Sequence, residues 1–191
     1  MGTEITAALG RARLSIMLAA VTYLSAVLIG AGLATAGNPA ALAQRDAIVA
    51  GAQTGSVLTA MNRGDLTRAA LLDFGSNLFL GAMPTTLAGL GVVFPFPIAA
   101  YRGWVGGIVS VDGRHVSRLV DPASALYYLV TMLLQLTGYV LSMAAGLHVG
   151  LALWRHRTRW RVPTAELRDL AWIYALVVAA FLLGSLWEFL V

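Results

Sequence analysis

Ionisable side chains inside long apolar stretches are the residues of this sequence most able to do chemistry. Asp73, Arg102 and Glu188 are three such residues. An unpaired charge at membrane depth costs about 3 kcal/mol, so such a residue usually has a packed partner or serves a transported solute. For Asp73 we expect a carboxylate paired with Arg68 or Arg102, with a substrate or proton site as the functional alternative.

Arg102 and Glu188 lie near the ends of their apolar stretches. Arg102 stands between Tyr101 and Trp104, which is typical of an anchor at the membrane–water interface. Glu188 falls in the last turn of the final stretch, where a carboxylate opposes the helix macrodipole. We therefore expect a compensating partner for Glu188, either an interfacial salt bridge or a contact with another protein.

His148 follows Ala144 by about one helical turn. A small residue at this spacing would give a haem or chlorophyll ring a flat surface beside its axial ligand. A neutral histidine hydrogen-bonded across helices explains the pattern without a cofactor, and that is our prediction. No metal site is predicted, because the chain has no cysteine and its histidines share no metal-binding spacing with acidic residues.

Catalytic motifs of intramembrane proteases and ATPases do not occur in this sequence. The patterns H-E-x-x-H, G-x-S-x-G and the P-loop are missing. We therefore predict that the protein is not an enzyme and has no catalytic residues.

Membrane helices are the elements that must position these residues. Hydrophobic residues make up 59% of the 191 residues and charged ones 12%, and the mean hydropathy is +0.77. A soluble domain has about 25% charged residues, and a chain this short cannot bury so much apolar surface by itself. We predict an all-α, polytopic transmembrane helical bundle that forms a single integral membrane domain over residues 1–191.

About five spans and one surface helix are predicted from the apolar runs and their breaks. The spans are 14–36, 67–92, 96–111, 123–154 and 170–191, and an interfacial amphipathic helix is predicted over 40–62. The block 66–111 is the least regular part, because Pro84, Pro95 and Pro97 interrupt it. It can make two full spans or a re-entrant hairpin.

Arginines set the predicted orientation and surface partners. The net charge is +4, and basic residues near the N-terminus and over 154–169 predict a cytoplasmic N-terminus and a C-terminus outside the cytoplasmic membrane. This placement indicates membrane lipids as partners and not nucleic acid. The run predicted to contact anionic lipid or an acidic partner consists of Arg155, Arg157, Arg159 and Arg161.

Two glycine pairs have the spacing that lets helices approach closely. They are Gly103 with Gly107 and Gly146 with Gly150. We predict that both pairs pack within the chain, although homo-oligomers use the same spacing. Other membrane proteins are expected partners in either case.

Four stretches between residue 66 and the end carry a family resemblance. They read RAALLDFG at 68–75, RGWVGG at 102–107, AAGLHVG at 144–150 and LWEFL at 186–190. In this order they resemble the stage II sporulation protein M family of bacterial and archaeal membrane proteins. The namesake belongs to a membrane-anchored peptidoglycan-remodelling complex, so the resemblance implies a scaffold or complex subunit; permease-like roles have also been suggested for relatives.

One departure from the family concerns the fourth span. Many members carry a histidine and a glutamate early in that span. Here the matching stretch, 131–135, has no histidine and has Gln135 where the carboxylate would be. The resemblance therefore implies a polar position at Gln135, without the proton or cation chemistry of the usual pair.

Three functions are consistent with these features. The first expectation is a non-enzymatic integral membrane protein that acts as a scaffold or subunit of a larger membrane complex. The alternative is a small transporter or channel component, in which Asp73, Pro84 and Gln135 line a polar path through broken helices. A cofactor-binding accessory subunit with His148 as the ligand is the second alternative.

Overall fold

The fold is helical throughout the part of the chain that the structure describes. This structure is a computed structural model and describes residues 2–120, 122–156 and 164–190, which form nine α-helices, one π-helical segment and no strand. The all-α prediction is confirmed for these residues. The elements are α1 (Gly2–Arg11), α2 (Arg13–Thr35), α3 (Pro39–Gln53), α4 (Ser56–Asn62), α5 (Leu66–Gly75), the π-helical segment (Ser76–Ala82), α6 (Met83–Gly89), α7 (Pro95–Val109), α8 (Pro122–Arg155) and α9 (Thr164–Leu190).

Three helices are long and apolar enough to cross a membrane. They are α2, the Ala125–Arg155 part of α8, and α9, and they coincide with most of the predicted spans 14–36, 123–154 and 170–191. The predicted spans 67–92 and 96–111 do not form single helices of that length. The π-helical segment divides the first, and α7 has only 15 residues.

A continuous helical stretch that contains a π-helical segment and Pro84 lies at the predicted span 67–92. We call it the kinked helix, because prolines and π-helical segments are the usual causes of helix kinks. α5, the π-helical segment and α6 follow one another without a break over 66–89, a length of about 36 Å at about 1.5 Å per residue. Pro84 lies at the start of α6, and a proline disturbs the preceding helical turn because it lacks an N–H. Residues 90–94 then turn the chain, with Val92 at a φ of 60°, before Pro95 begins α7.

The prediction of one interfacial helix over 40–62 is wrong, because two helices, α3 and α4, fill this stretch. Asn38 caps α3 by accepting a hydrogen bond from the N–H of Ala41 at 3.1 Å. Gly55 then interrupts helical hydrogen bonding with an extended conformation at φ −72° and ψ 157°. The short helix α1 lies outside every predicted element.

Glycines bring α2 and α7 together at backbone distance. A Cβ on Gly103 would lie 2.7 Å from the carbonyl oxygen of Tyr23, and one on Gly107 would overlap that of Val27. These two helices run in the same direction, because Gly103 meets Tyr23 and Gly107 meets a residue one turn later. The pair predicted from the sequence therefore faces another helix of the same chain.

The second glycine pair packs α8 against α6. A Cβ on Gly146 would overlap the carbonyl oxygen of Thr86, and one on Gly150 would overlap that of Gly89. The backbones approach closely because α8 has no side chain at either of these points. This contact fixes the end of the kinked helix against the later part of α8.

The two ends of the bundle differ in what they carry. At the end that we call the N-terminal end, the side chain of Arg11 contacts Asp169 at the start of α9. The opposite end, which we call the loop end, carries α3, α4 and residues 110–120. There, Arg45 Nη1 donates a hydrogen bond to the carbonyl oxygen of Asp112 at 2.5 Å.

Candidate functional site

Arg102 contacts the kinked helix at a carbonyl that Pro84 leaves without its usual donor. Pro84 has no N–H, so the carbonyl oxygen of Leu80, four residues earlier, lacks its α-helical partner. Arg102 Nη2 donates to that oxygen at 2.7 Å. The arginine therefore stabilises the proline kink, a role that its neighbours Tyr101 and Trp104 do not predict.

Tyr139 on α8 provides a second, indirect connection between Arg102 and the kinked helix. Its hydroxyl accepts a hydrogen bond from Arg102 Nη1 at 3.3 Å and donates to Asn77 Oδ1 at 2.5 Å. The guanidinium carbon also lies 5.2 Å from the centre of the tyrosine ring, a cation–π distance. Gly81 leaves space for this ring, since a Cβ there would lie 2.7 Å from Tyr139 Cε1.

Asp73 receives its hydrogen bonds from neutral side chains. Asn77 Nδ2 donates to Asp73 Oδ2 at 3.0 Å, and Ser185 Oγ donates to the same oxygen at 2.7 Å. The predicted pairing of Asp73 with Arg68 or Arg102 is wrong among the described residues, because no ion pair there includes Asp73. The carboxylate is thus held in place without a cation.

Glu188 is partnered by an amide and not by a cation. Gln135 Nε2 donates to Glu188 Oε2 at 2.9 Å. The hydroxyl of Tyr127 donates to the main-chain oxygen of Glu188, which lies in the last turn of α9 and has no helical donor. The salt bridge predicted for Glu188 does not form within the described parts of the chain.

A cavity of about 590 Å³ between α2, α7 and α8 is lined by Arg102, Gln135, Tyr139 and Glu188. Of the residues predicted to line a polar path, Gln135 lines this cavity, whereas Asp73 and Pro84 do not.

This cavity borders a second cavity of about 600 Å³ at residues 112–120, and the two share Arg118, Tyr127 and Tyr128. Residues of α3, α4 and the loop also line the 590 Å³ cavity, as Ile48, Met61 and Arg118 show, so this cavity extends to the loop end. We call the hydrogen-bonded residues beside it the cavity network: Asp73, Asn77, Arg102, Gln135, Tyr139, Ser185 and Glu188.

A second group of charged residues lies at the N-terminal end. Arg11 donates two hydrogen bonds to Asp169, from Nε to Oδ2 at 2.8 Å and from Nη2 to Oδ1 at 2.6 Å. Asp169 is 1% exposed, and His148 Nε2 lies 3.4 Å from its Oδ2. The bond to Asp169 raises the pKa of Arg11, while desolvation opposes the rise. We call these three residues the acid–base cluster.

Asp112 organises the loop at the mouth of the second cavity. Its Oδ1 accepts hydrogen bonds from the N–H groups of Arg114 at 2.8 Å and Val116 at 3.0 Å. These two bonds hold the pKa of Asp112 below its ordinary value of 3.8, and the bond from Val116 has the larger effect. An antiparallel backbone contact between Val111 and Ser117 closes the loop.

His148 and Arg155, also singled out from the sequence, do not line the cavity. His148 Nε2 faces Asp169, so this geometry gives the cofactor hypothesis no support. Arg155 is exposed at the end of α8. The remaining residues of the arginine run fall outside the described residues: Arg157, Arg159 and Arg161.

Three members of the cavity network, Asn77, Tyr139 and Ser185, are missed by the sequence reasoning. A signal for one of them exists on α8, where Thr131, Gln135 and Tyr139 recur every four residues along an otherwise apolar helix. That spacing puts polar groups on one face. A search for polar stripes along apolar spans would therefore have identified Tyr139.

Comparisons with known proteins identify no relative of this chain: no protein-family model, no curated protein and no solved structure matches it. The resemblance to the stage II sporulation protein M family stays a prediction, since these comparisons neither support nor contradict it. Function has to be inferred from the geometry of the cavity network.

Proposed function

We propose that the protein is a non-enzymatic integral membrane protein that works as a small transporter or channel component for a polar solute. One observation supports this role above all. A chain of hydrogen bonds runs from Asp73 through Asn77 and Tyr139 to Arg102, which lines the cavity connected to the loop end. Polar groups at membrane depth beside a broken helix are typical of a solute path.

We also propose five crossings, with the N-terminus in the cytoplasm and the C-terminus outside. The kinked helix 66–89 exceeds the thickness of about 30 Å of a hydrocarbon core. It extends to Gly89, which packs on Gly150 near the end of α8, and α7 returns along α2. This path supports two crossings for the block 66–111 in place of a re-entrant hairpin.

Single-cysteine variants test this topology directly, because the chain contains no cysteine. A membrane-impermeant maleimide added to intact cells should label Arg114→Cys and should label Thr3→Cys only after the cells are opened. Val93→Cys, in the turn before α7, separates the two arrangements. We expect it to react only in opened cells; a re-entrant hairpin would leave it unreactive or reactive from outside.

Substitution of Asp73 tests the transport role. We expect reconstituted protein to take up at least one of choline, acetate and 4-aminobutyrate, and Asp73→Asn to lower that uptake by about tenfold or more. Asp65→Asn is the matched control, because Asp65 caps α5 by accepting from the N–H of Arg68 and asparagine caps equally well. Absence of uptake by the wild-type protein, or full uptake by Asp73→Asn, contradicts the transport proposal.

A scaffold or subunit of a larger membrane complex is the second candidate function. The observation in its favour is that the bond between Arg102 and the Leu80 carbonyl is exposed on the bundle surface. Leu80 itself is 71% exposed. A guanidinium at membrane depth is covered better by a protein neighbour than by lipid, and the predicted family resemblance implies the same role.

Native mass spectrometry after purification in mild detergent separates the two candidates. A stable partner protein together with no measurable uptake supports the complex subunit. A protein that purifies alone and shows uptake dependent on Asp73 supports the transporter.

A further inference from the structure

We propose that the cavity binds a small zwitterion, a solute that carries both a carboxylate and an ammonium group. This inference rests on the proposed transport function and names the class of solute for the same site. Its basis is that Arg102, Arg118 and Glu188 all line one cavity. No ion pair among the described residues includes any of the three.

Arg102 and Glu188 lie at different heights along one face of α8. Tyr139 contacts Arg102, and Gln135, four residues earlier, contacts Glu188. Side chains four residues apart on a helix are neighbours, with Cβ atoms about 5–6 Å apart. The positive and the negative group are therefore held by neighbouring positions on one face of α8, which favours a single small molecule with two opposite charges as the ligand.

Both charged groups keep hydrogen-bonding capacity for a ligand. The described contacts of Arg102 use one bond from each of Nη1 and Nη2, and a guanidinium has further N–H groups to donate. Glu188 accepts from Gln135 at Oε2, which leaves acceptor sites for an ammonium group. Charge-assisted hydrogen bonds of both kinds are stronger than neutral ones.

Tyr23 gives an independent observation at the Arg102 side of the cavity. It lines the cavity and is 1% exposed, and its ring stacks on that of Tyr139 with centroids 6.1 Å apart. Its buried hydroxyl forms no hydrogen bond of normal geometry among the described residues, and the side chain of Thr85 is a polar group close to it. Buried hydroxyls are seldom left without a full hydrogen bond, so this one can also donate to a carboxylate that binds beside Arg102.

Aromatic rings line the other side, near Glu188. Tyr127 and Tyr128 line the cavity there, and the guanidinium carbon of Arg118 lies 5.9 Å from the centre of the Tyr128 ring. Cations bind favourably over the face of a tyrosine ring. The guanidinium of Arg118 already lies over Tyr128. An ammonium group would therefore contact Glu188 and the ring of Tyr127. A lone anion would leave Glu188 uncompensated, and a lone cation would leave Arg102 uncompensated.

Calorimetric titration of the full chain in lipid nanodiscs tests the ligand class with three probes. These are 4-aminobutyrate, butyrate, which lacks the ammonium group, and butylamine, which lacks the carboxylate. We expect 4-aminobutyrate to bind about tenfold more tightly than either single-charge probe, since each charge contributes its own hydrogen bonds. Equal or weaker binding of 4-aminobutyrate overturns the proposal.

Two variants assign the charges to the two ends of the ligand. Glu188→Gln should bind 4-aminobutyrate no better than butyrate. Arg102→Gln should bind it no better than butylamine, and it is best made together with Pro84→Ala, which restores an N–H donor for the Leu80 carbonyl. Arg68→Gln, on the exposed face of α5, should leave the wild-type preference intact.

The outcomes separate this inference from the transport proposal on which it rests. If 4-aminobutyrate binds through both charges but proteoliposomes take up none of choline, acetate and 4-aminobutyrate, the transport proposal fails and the ligand class stands. If choline or acetate is taken up in an Asp73-dependent way and 4-aminobutyrate does not bind, the ligand class alone is overturned.

Discussion

The acid–base cluster and the cavity network contain similar residues but treat their charges in opposite ways. In the cluster, Asp169 is almost fully buried and receives two hydrogen bonds from Arg11. In the network, Asp73 and Glu188 receive hydrogen bonds only from amides and a hydroxyl among the described contacts. Arg102 donates to a tyrosine hydroxyl and a main-chain carbonyl.

This contrast separates charged groups that stabilise the fold through a charged partner from charged groups whose described partners are neutral. Removing one partner of a paired, buried charge leaves the other uncompensated, so such pairs resist change. A carboxylate held by neutral donors can gain a proton or a ligand cation without losing a protein partner. Under the proposed transport function, we therefore expect the cavity network to be the part of the molecule in which charge changes.

Moving α7 should have the largest effect, because this helix carries Arg102 into the cavity network. A Cβ on Gly107 would overlap the carbonyl oxygen of Val27, whereas one on Gly106 would find its nearest neighbour at 4.0 Å. We expect Gly107→Val to lower the free energy of unfolding by about 3 kcal/mol through overpacking. Gly106→Val, one residue away, should stay close to wild type.

Thermal unfolding of both valine variants in the same detergent measures this difference. The acid–base cluster contains no residue of α7, so it should stay intact while the cavity network is displaced. Similar melting temperatures for the two variants would show that the glycine contact between α2 and α7 does not set the position of Arg102.

Neutralising one aspartate in each region tests the contrast itself. We expect Asp169→Asn to lower the melting temperature clearly, because Arg11 loses its anionic partner. Asp73→Asn should lower it much less, since its partners are the neutral donors Asn77 and Ser185. A combined Arg11→Asp and Asp169→Arg exchange should recover part of the loss. Equal melting temperatures for the two asparagine variants would remove the distinction between the regions.

The bond between Arg102 and the kinked helix offers a smaller and more specific test. Arg102→Gln removes the donor to the Leu80 carbonyl and should lower the free energy of unfolding by about 1 kcal/mol. Pro84→Ala in that background restores an N–H donor and should recover most of the loss. Chemical unfolding of the single and double variants measures both changes; no recovery in the double variant argues against the capping role.

Hydropathy alone is sufficient for the three long helices, because α2, α8 and α9 arise from apolar runs without a break. It does not locate the division between α3 and α4, since Gly55 acts through its own backbone conformation and not through hydrophobicity. Hydropathy also cannot show that a π-helical segment precedes Pro84. The helix type there depends on which group donates a hydrogen bond in place of the N–H that proline lacks. The helix α1, which was not predicted, is short and lies before the first apolar run.

For the candidate site, residue types are predictable and partners are not. Asp73, Arg102, Gln135 and Glu188 stand out because polar residues are rare in apolar helices. Their partners lie far away in sequence, as in the contact of Gln135 with Glu188. Only the tertiary structure shows that Asp73 pairs with no arginine among the described residues. A polar stripe along α8 is the one local pattern that points to Tyr139.

Acidification should have the smallest effect, confined to the loop that borders the second cavity. The folded pKa of Asp112 lies below its ordinary value of 3.8, because the N–H groups of Val116 and Arg114 donate to its carboxylate. A lowered pKa contributes stability above the ordinary value, and this is lost as the pH falls through the folded pKa. Hydrogen exchange over 110–120, corrected for intrinsic rates, should therefore stay slow at pH 5 and rise below about pH 4. Asp112→Asn should remove that pH dependence, and a rise of the same size in this variant would assign the effect to another group.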